Sequence, residues 1–174
     1  IPNGIFLTHA HIGHYTGLMY LGKEAFNSHQ TTVFAMPKMQ RFLEKNGPWN
    51  QLIYEKNIEI QPLINNTYYH INPLIKVKPF LVPHRDEYSE TVGYQIEGPN
   101  KTALFIPDIN KWHEWEEDIM EKITLVNYAF IDGSFSEINE IKHRDISEIP
   151  HPFINETMAL FSDMPAKEKN KIHF

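Results

Sequence analysis

Apolar and polar positions change along the chain in short blocks that predict strands separated by helices. Period-two alternation and short β-branched runs predict strands at residues 1–7, 31–36, 58–63, 68–71, 74–82, 91–97, 102–108, 125–133 and 169–174. Apolar residues at helical spacing predict helices at 14–27, 37–47, 48–57, 109–123 and 154–164. Pro37 suits the first turn of its helix and Gly47 the end, and "GPNK" at 98–101 predicts a turn between strands.

The order of these elements predicts an α/β fold. Long β stretches stand between the helices, so the strict βαβ alternation of a doubly wound parallel sheet is absent and a mixed sheet is expected. The length of 174 residues fits one domain with a real core, and 41% hydrophobic and 22% charged residues are typical of a globular chain.

The cysteine content, the net charge and the lengths of the apolar runs limit which ligands and partners are expected. The chain has no cysteine, which excludes disulfides and thiolate metal ligands within this sequence. A net charge of −6 without a Lys/Arg stripe gives no support for a nucleic-acid partner, although a local patch could still bind RNA. No apolar run approaches the ~20 residues of a membrane span, and the absence of a targeting signal leaves the compartment open. We expect a small-molecule substrate and, at most, a second copy of the chain in a homodimer.

A cluster of histidines follows the first strand. The stretch "LTHAHIGHYTGL" places His9, His11 and His14 within six positions, although the whole chain has 10 histidines. Neutral imidazole is a common zinc ligand, and three protein ligands plus water make a catalytic zinc site. The cluster therefore predicts a metal site, provided that the loop bends so that the rings converge.

Three further residues are suited to such a site. His84 follows the apolar strand in "FLVPHRDEY", Asp108 ends the strand "ALFIPD", and His151 stands between two prolines in "EIPHPF". Taken alone, His84 or His151 could be a structural or surface histidine, and Asp108 could cap the next helix. Loops at strand ends are frequent sites of function, and the four motifs together favour a metal site.

The order of these motifs resembles the metallo-β-lactamase superfamily of metal-dependent hydrolases. "THAHIGHYTGL" is similar to the signature His-x-His-x-Asp-His, and "VPHRDEYSETVGY" with "FIPDINKW" resembles the branch that holds the pyrroloquinoline quinone biosynthesis protein B. The resemblance implies an αββα sandwich of two mixed β-sheets flanked by helices. It also implies that residues 1–174 form one domain that lacks N-terminal strands and the last ligand-bearing strand.

The resemblance also implies roles for individual residues. His9, His11 and His84 would hold a first metal, Asp108 would bridge two metals and orient the nucleophile, and His14 would serve the second metal. His151 matches a histidine that assists the leaving group in the phosphodiesterase and ribonuclease Z branches. A metal-bound hydroxide, formed from water whose pKa falls to about 7, would attack a phosphodiester or related small ester.

Each of the acidic residues near these motifs has two interpretations. Asp86 and Glu87 could hydrogen-bond the imidazoles or belong to a solvated loop. Asp132, in "FIDGSF", could line the site or begin a turn with Gly133, and we favour the former.

One position departs from the family signature. Gly13 stands where the signature has an aspartate, so the second metal loses a carboxylate ligand. The expected cofactor is one or two zinc ions, with iron or manganese as alternatives. An iron-dependent oxidation enzyme related to pyrroloquinoline quinone biosynthesis and a non-catalytic metal-binding protein of the same fold remain alternative functions.

Overall fold

A computed structural model describes residues 1–140, 145 and 148–174. The chain forms two compact units, the first made of Ile1–Thr67 with Asp86–Thr91 and the second of Tyr68–Arg85 with Val92–Phe174. Each unit has its own β-sheet and its own hydrophobic core.

The first unit contains a three-stranded parallel sheet in the order β1-β2-β3. Its elements are β1 (Gly4–Phe6), α1 (Ile12–Tyr15), a 3₁₀ helix (Thr16–Leu21), β2 (Thr31–Ala35), α2 (Pro37–Lys45), α3 (Trp49–Tyr54) and β3 (Ile58–Pro62). Helix α2 buries Met39 and Leu43, which are one turn apart, against the core that also contains Val33. Both crossovers between strands contain helices, which is the connection that parallel strands require.

The second unit contains a six-stranded mixed sheet in the order β4-β5-β6-β7-β8-β9. Its elements are β4 (Tyr69–Asn72), β5 (Ile75–Leu81), β6 (Val92–Glu97), β7 (Thr102–Ile106), α4 (Ile119–Thr124), β8 (Tyr128–Ile131), α5 (Ile154–Leu160), α6 (Ala166–Lys169) and β9 (Ile172–His173).

Connection length explains which strands of this sheet run antiparallel. Strands β4 to β7 pair antiparallel, whereas β7, β8 and β9 pair parallel. The turn before β7 is closed by the Gly98 amide, which donates to the Lys101 carbonyl at 2.8 Å. Helix α4 provides the crossover from β7 to β8. The carboxyl ends of β5, β7 and β8 therefore lie at one edge of the sheet.

The structure confirms the predicted α/β class with two sheets and helices. The second sheet is mixed, as expected, but the described strands of the first sheet pair only in parallel. The strands were placed correctly by the sequence pattern, while pairing direction follows from connections that the pattern does not encode.

The predicted helix at 109–123 is wrong in extent. The structure has a 3₁₀ turn at Trp112–Glu114, an extended Trp115, and then α4, which begins after Asp118. The Asp118 side chain accepts a hydrogen bond from the Met120 amide at 2.7 Å and caps α4. Trp112 and Trp115, on either side of the end of the 3₁₀ turn, both belong to the core.

Histidines without a motif lie at the surface where the structure describes them. His29 and His70 are exposed, and His143 lies outside the described residues. In the described part of the chain, none of the helices has the length and apolar character needed to cross a bilayer.

Gly93 in β6 allows a close approach to Phe80 in β5. A Cβ atom at position 93 would lie 2.6 Å from two carbons of the Phe80 ring and 3.0 Å from the Phe105 carbonyl oxygen. We expect Gly93→Ala to lower the free energy of unfolding by about 1–3 kcal/mol, because the buried ring cannot move without disturbing the core. Urea denaturation measures this change.

Gly98→Ala is the matched control for that measurement. A Cβ atom at position 98 would lie 3.5 Å from the Lys101 carbonyl oxygen, which is an ordinary contact. A Gly93→Ala variant no less stable than Gly98→Ala would show that the Phe80 ring adapts.

Candidate functional site

The three clustered histidines converge in the first unit. His9 and His11 lie in the loop after β1, and His14 lies in α1. His9 Nε2 is 2.9 Å from His11 Nδ1, and the ring centroids of His9 and His14 are 4.3 Å apart. His9 is 1% exposed, whereas His14 is exposed to solvent. The loop therefore bends as the metal hypothesis requires.

Neighbouring side chains fix which ring nitrogens face each other. Thr8 Oγ1 lies 3.1 Å from His9 Nδ1, and the Glu87 carboxylate accepts a hydrogen bond from His11 Nε2 at 2.9 Å. The opposite nitrogen of each ring is the one that faces the other histidine. Outer contacts of this kind orient imidazoles in metal sites.

Strand ends position the polar residues of the second unit. His84 follows β5, Asp108 follows β7, and Asp132 directly follows β8. All three are buried, because the ends of these strands lie over the core of the unit. Asp132 is completely buried, and it also begins a turn with Gly133, since its Oδ1 accepts a hydrogen bond from the Ser134 amide at 3.0 Å.

His84 has the same arrangement of contacts as the first two histidines. Its Nδ1 donates to the Asn110 side-chain oxygen at 3.2 Å. The side-chain nitrogen of Asn110 in turn donates to the Glu114 carboxylate at 2.8 Å. The other ring nitrogen, Nε2, lies 3.6 Å from an oxygen of Asp108. The hydrogen bond to Asn110 thus turns the second nitrogen towards the carboxylate.

Asp132, which is buried, and His151, which is half-buried, form an acid–imidazole pair. The His151 Nδ1 donates to Asp132 Oδ2 at 2.6 Å, and Asp132 also accepts from the amides of Ile109 at 3.1 Å and Ser134 at 3.0 Å. The ligand atoms of Asp108, Asp132 and His151 all lie within 4.8 Å of one another. The rings of His84 and His151 have centroids 5.0 Å apart. The structure therefore brings His84, Asp108 and His151 together, as the sequence predicted.

The two acids after His84 differ in their contacts. Glu87 bonds His11, as one interpretation of the sequence predicted, whereas Asp86 accepts from the Thr91 hydroxyl at 3.0 Å. Burial raises the pKa of the Asp86 carboxyl, and the hydrogen bond from Thr91 partly opposes that rise. Asn110 was missed because its position in "PDINKW" gives no signal of a contact with a histidine 26 residues earlier.

The donor atoms fit a divalent transition metal. Two nitrogens bound to one tetrahedral zinc at about 2.0–2.1 Å lie ~3.3 Å apart. The facing nitrogens of His9 and His11 are 2.9 Å apart, which is slightly less than this distance. His84 Nε2 and the nearest oxygen of Asp108 are 3.6 Å apart, which is slightly more. Imidazole nitrogen and carboxylate oxygen suit zinc and also iron or manganese.

A family comparison agrees with the fold. The sequence model of the beta-lactamase superfamily domain matches residues 2–174. The chain belongs to this superfamily, as its histidine motif predicted.

Three individual proteins are similar to this chain. It is 25% identical to the chloroplastic tRNase Z TRZ2 of Arabidopsis thaliana, over 83% of this chain and 52% of that protein. The structure of Zn²⁺-bound PqqB from Methylobacterium extorquens matches with a TM-score of 0.76 at 20% identity, over 94% of this chain and 59% of that one. A diphosphatase of the PhnP family matches with a TM-score of 0.56 at 16% identity, over 93% and 56%.

These matches confirm the metallo-β-lactamase fold and the predicted fold resemblance to PqqB. The chain spans about half the length of the curated relative that it matches.

The hydrogen bond between Asn110 and His84 leads to a prediction about metal affinity. We expect Asn110→Ala to weaken metal binding by about 10- to 100-fold, because His84 loses the contact that orients its ring. Competition with a chromogenic chelator measures the affinity. Asn65→Ala, in an exposed loop of the first unit, is the control substitution of the same type. Equal affinities of the two variants would show that Asn110 does not orient His84.

Proposed function

We propose that this protein is a metal-dependent hydrolase that acts on a phosphodiester or a related small ester. His9, His11, His14, His84 and Asp108 are the proposed metal ligands, as the family signature implies. The observation that carries the proposal is a contact pattern that three imidazoles share. In His9, His11 and His84, one ring nitrogen contacts a neighbouring side chain and the other faces a further donor atom.

The bound metal would acidify a water molecule and stabilise negative charge that develops on the substrate. Asp108 would orient the attacking oxygen. Zinc is the proposed metal, because imidazole-rich sites with one carboxylate suit it, and the related PqqB structure was determined with Zn²⁺ bound.

His151 is the proposed proton donor to the leaving group. Its Nδ1 proton is held by Asp132, so the proton that it transfers must leave from Nε2. Asp132 is buried and accepts three hydrogen bonds, and it therefore acts as a positioning residue that also stabilises the charged imidazolium.

Metal content and hydrolysis of bis-p-nitrophenyl phosphate, each with and without chelator, test this proposal in the full-length protein. We expect bound metal and a rate that falls on chelation and returns when zinc is restored. A metal-free, folded protein, or a rate that chelation leaves unchanged, would contradict it.

Iron-dependent oxidation is a second candidate, because the same nitrogen and oxygen donors accept iron. Anaerobic loading with iron, followed by measurement of oxygen uptake with a candidate peptide, separates this function from hydrolysis. Uptake with iron and no hydrolysis with zinc would favour oxidation.

Gly13 favours a third candidate, a metal-binding protein without turnover. No atom of the described residues outside its chain neighbours and its own helix backbone lies within 4 Å of a Cβ built at Gly13, so an aspartate fits there. If the missing carboxylate explains weak binding of a second metal, Gly13→Asp raises metal stoichiometry and creates or increases activity. Two metals already bound to the native protein would remove the reason for this candidate.

A further inference from the structure

A cavity beside His151 carries an inference about the substrate. It has a volume of about 410 Å³ and is lined by Arg85, Phe135, Glu148, Ile149, Pro150 and His151. Cavities of this size accommodate small molecules. The proposed site residues do not fill it, since only His151 belongs to both.

We propose that this cavity, the leaving-group cavity, binds the departing half of the substrate, and that this half is a planar ring with one phosphate or carboxylate group. The inference rests on the proposed function, because it takes His151 as the proton donor. The group that accepts a proton from His151 must lie against its ring, and the ring lines this cavity.

The apolar wall of the cavity suits a planar ring. The Phe135 ring makes two edge-to-face contacts. Its centroid lies 6.1 Å from that of His151, with an interplanar angle of 72°, and 6.4 Å from that of Phe153, with an interplanar angle of 66°. Ile149 and Pro150 extend the apolar surface around it. A rigid aromatic surface of this kind favours stacking with a flat ring over binding of a flexible chain.

The charged residues of the cavity suit one anionic group. The Arg85 guanidinium can form paired hydrogen bonds with a phosphate or a carboxylate. Glu148 lines the same cavity and repels further negative charge. With the net charge of −6, this arrangement favours a monomeric group over a nucleic-acid strand.

Equilibrium binding to the full-length protein tests the ring and the anion separately. The probes are AMP, adenosine, ribose phosphate and para-hydroxybenzoate, each measured by calorimetry with and without chelator. We expect AMP or para-hydroxybenzoate to bind about 10-fold or more tightly than adenosine and ribose phosphate. Preference for AMP identifies a phosphate, and preference for para-hydroxybenzoate identifies a carboxylate. Equal weak binding of all four probes overturns the inference.

Variants assign the binding to the cavity. Arg85→Gln should remove the gain from the anion, and Phe135→Leu should remove the gain from the ring, while Phe135→Tyr keeps it. Lys101→Gln and Phe105→Leu, at exposed positions outside the cavity lining, are the matched controls. Cavity variants that bind like the controls would overturn the inference.

Rates of hydrolysis of two matched esters show whether the anion site, the hydrolase activity or both are absent. The substrates are para-carboxyphenyl methyl phosphate and its para-carbamoyl analogue, which differ in charge but little in size. We expect Arg85→Gln to lower kcat/KM for the carboxylate ester about 10-fold more than for the carbamoyl ester, through KM. Hydrolysis without this difference overturns the inference and leaves the hydrolase proposal standing. Selective binding without hydrolysis supports the ring-and-anion site and overturns the hydrolase proposal.

Discussion

We expect His151→Gln to lower the rate of hydrolysis of a dialkyl phosphate by about 100- to 10,000-fold, the range typical of a lost general acid. An alkoxide leaving group must be protonated as it departs, and glutamine cannot donate a proton of comparable acidity. A p-nitrophenolate departs without protonation, so the loss should be far smaller for p-nitrophenyl esters. Steady-state rates for a series of esters with leaving groups of increasing basicity measure the contrast.

Asp132→Asn should change the rates in the same direction, because the imidazolium of His151 loses the carboxylate at 2.6 Å. Asparagine keeps an oxygen that can accept from the Ile109 or Ser134 amide, so the substitution is the mildest available at this buried position. Thermal melting should accompany the kinetics to show that the variant is folded. A leaving-group dependence that matches the native protein in both variants would remove His151 from the mechanism.

Asp108→Asn reduces metal affinity by more than about 100-fold, since loss of a direct ligand should exceed the effect of an outer contact. Asparagine preserves the shape of the side chain but removes the negative charge that would offset the charge of the metal. Asp132→Asn is the matched control, because Asp132 is also a buried carboxylate after a parallel strand. Elemental analysis after dialysis against a metal buffer compares the two variants.

The two carboxylates therefore have separable roles in this account. Asp108→Asn should lose metal and all hydrolysis, whereas Asp132→Asn should keep its metal and lose only the assistance to basic leaving groups. Full metal content in Asp108→Asn, or loss of metal in Asp132→Asn alone, would reverse the assignment.

The sequence allowed the main strands and the candidate ligands to be predicted, because both depend on local patterns. Strand β7 is an apolar run that Asp108 follows, and His84 follows β5, so each candidate ligand stands just beyond the end of a strand. The cluster of His9 with His11 and His14 is visible as spacing alone.

The contacts that orient these ligands could not be predicted, because they join residues distant along the chain. Asn110 contacts His84 across 26 positions, and Asp132 contacts His151 across 19. These pairs form because the ends of β5, β7 and β8 meet at one edge of the mixed sheet, and pairing direction is set by connections rather than by periodicity.

At 109–123 the local pattern predicted a continuous helix, but the backbone does not follow that pattern over the whole range. Apolar residues at helical spacing are present, and Trp112 and Trp115 are both buried, but the backbone is extended at Trp115. The Asp118 cap then starts α4 afresh. The helical period therefore indicated which side chains are buried but not the conformation that buries them.

Whether His9 and His84 both bind the metal can be measured from the zinc content of the full-length protein after chelation and reloading. We expect at least one equivalent of tightly bound zinc in the native protein and its loss in both His9→Ala and His84→Ala, with His70→Ala unchanged. Zinc that binds equally well to all three variants, or a native protein that retains none, would contradict it.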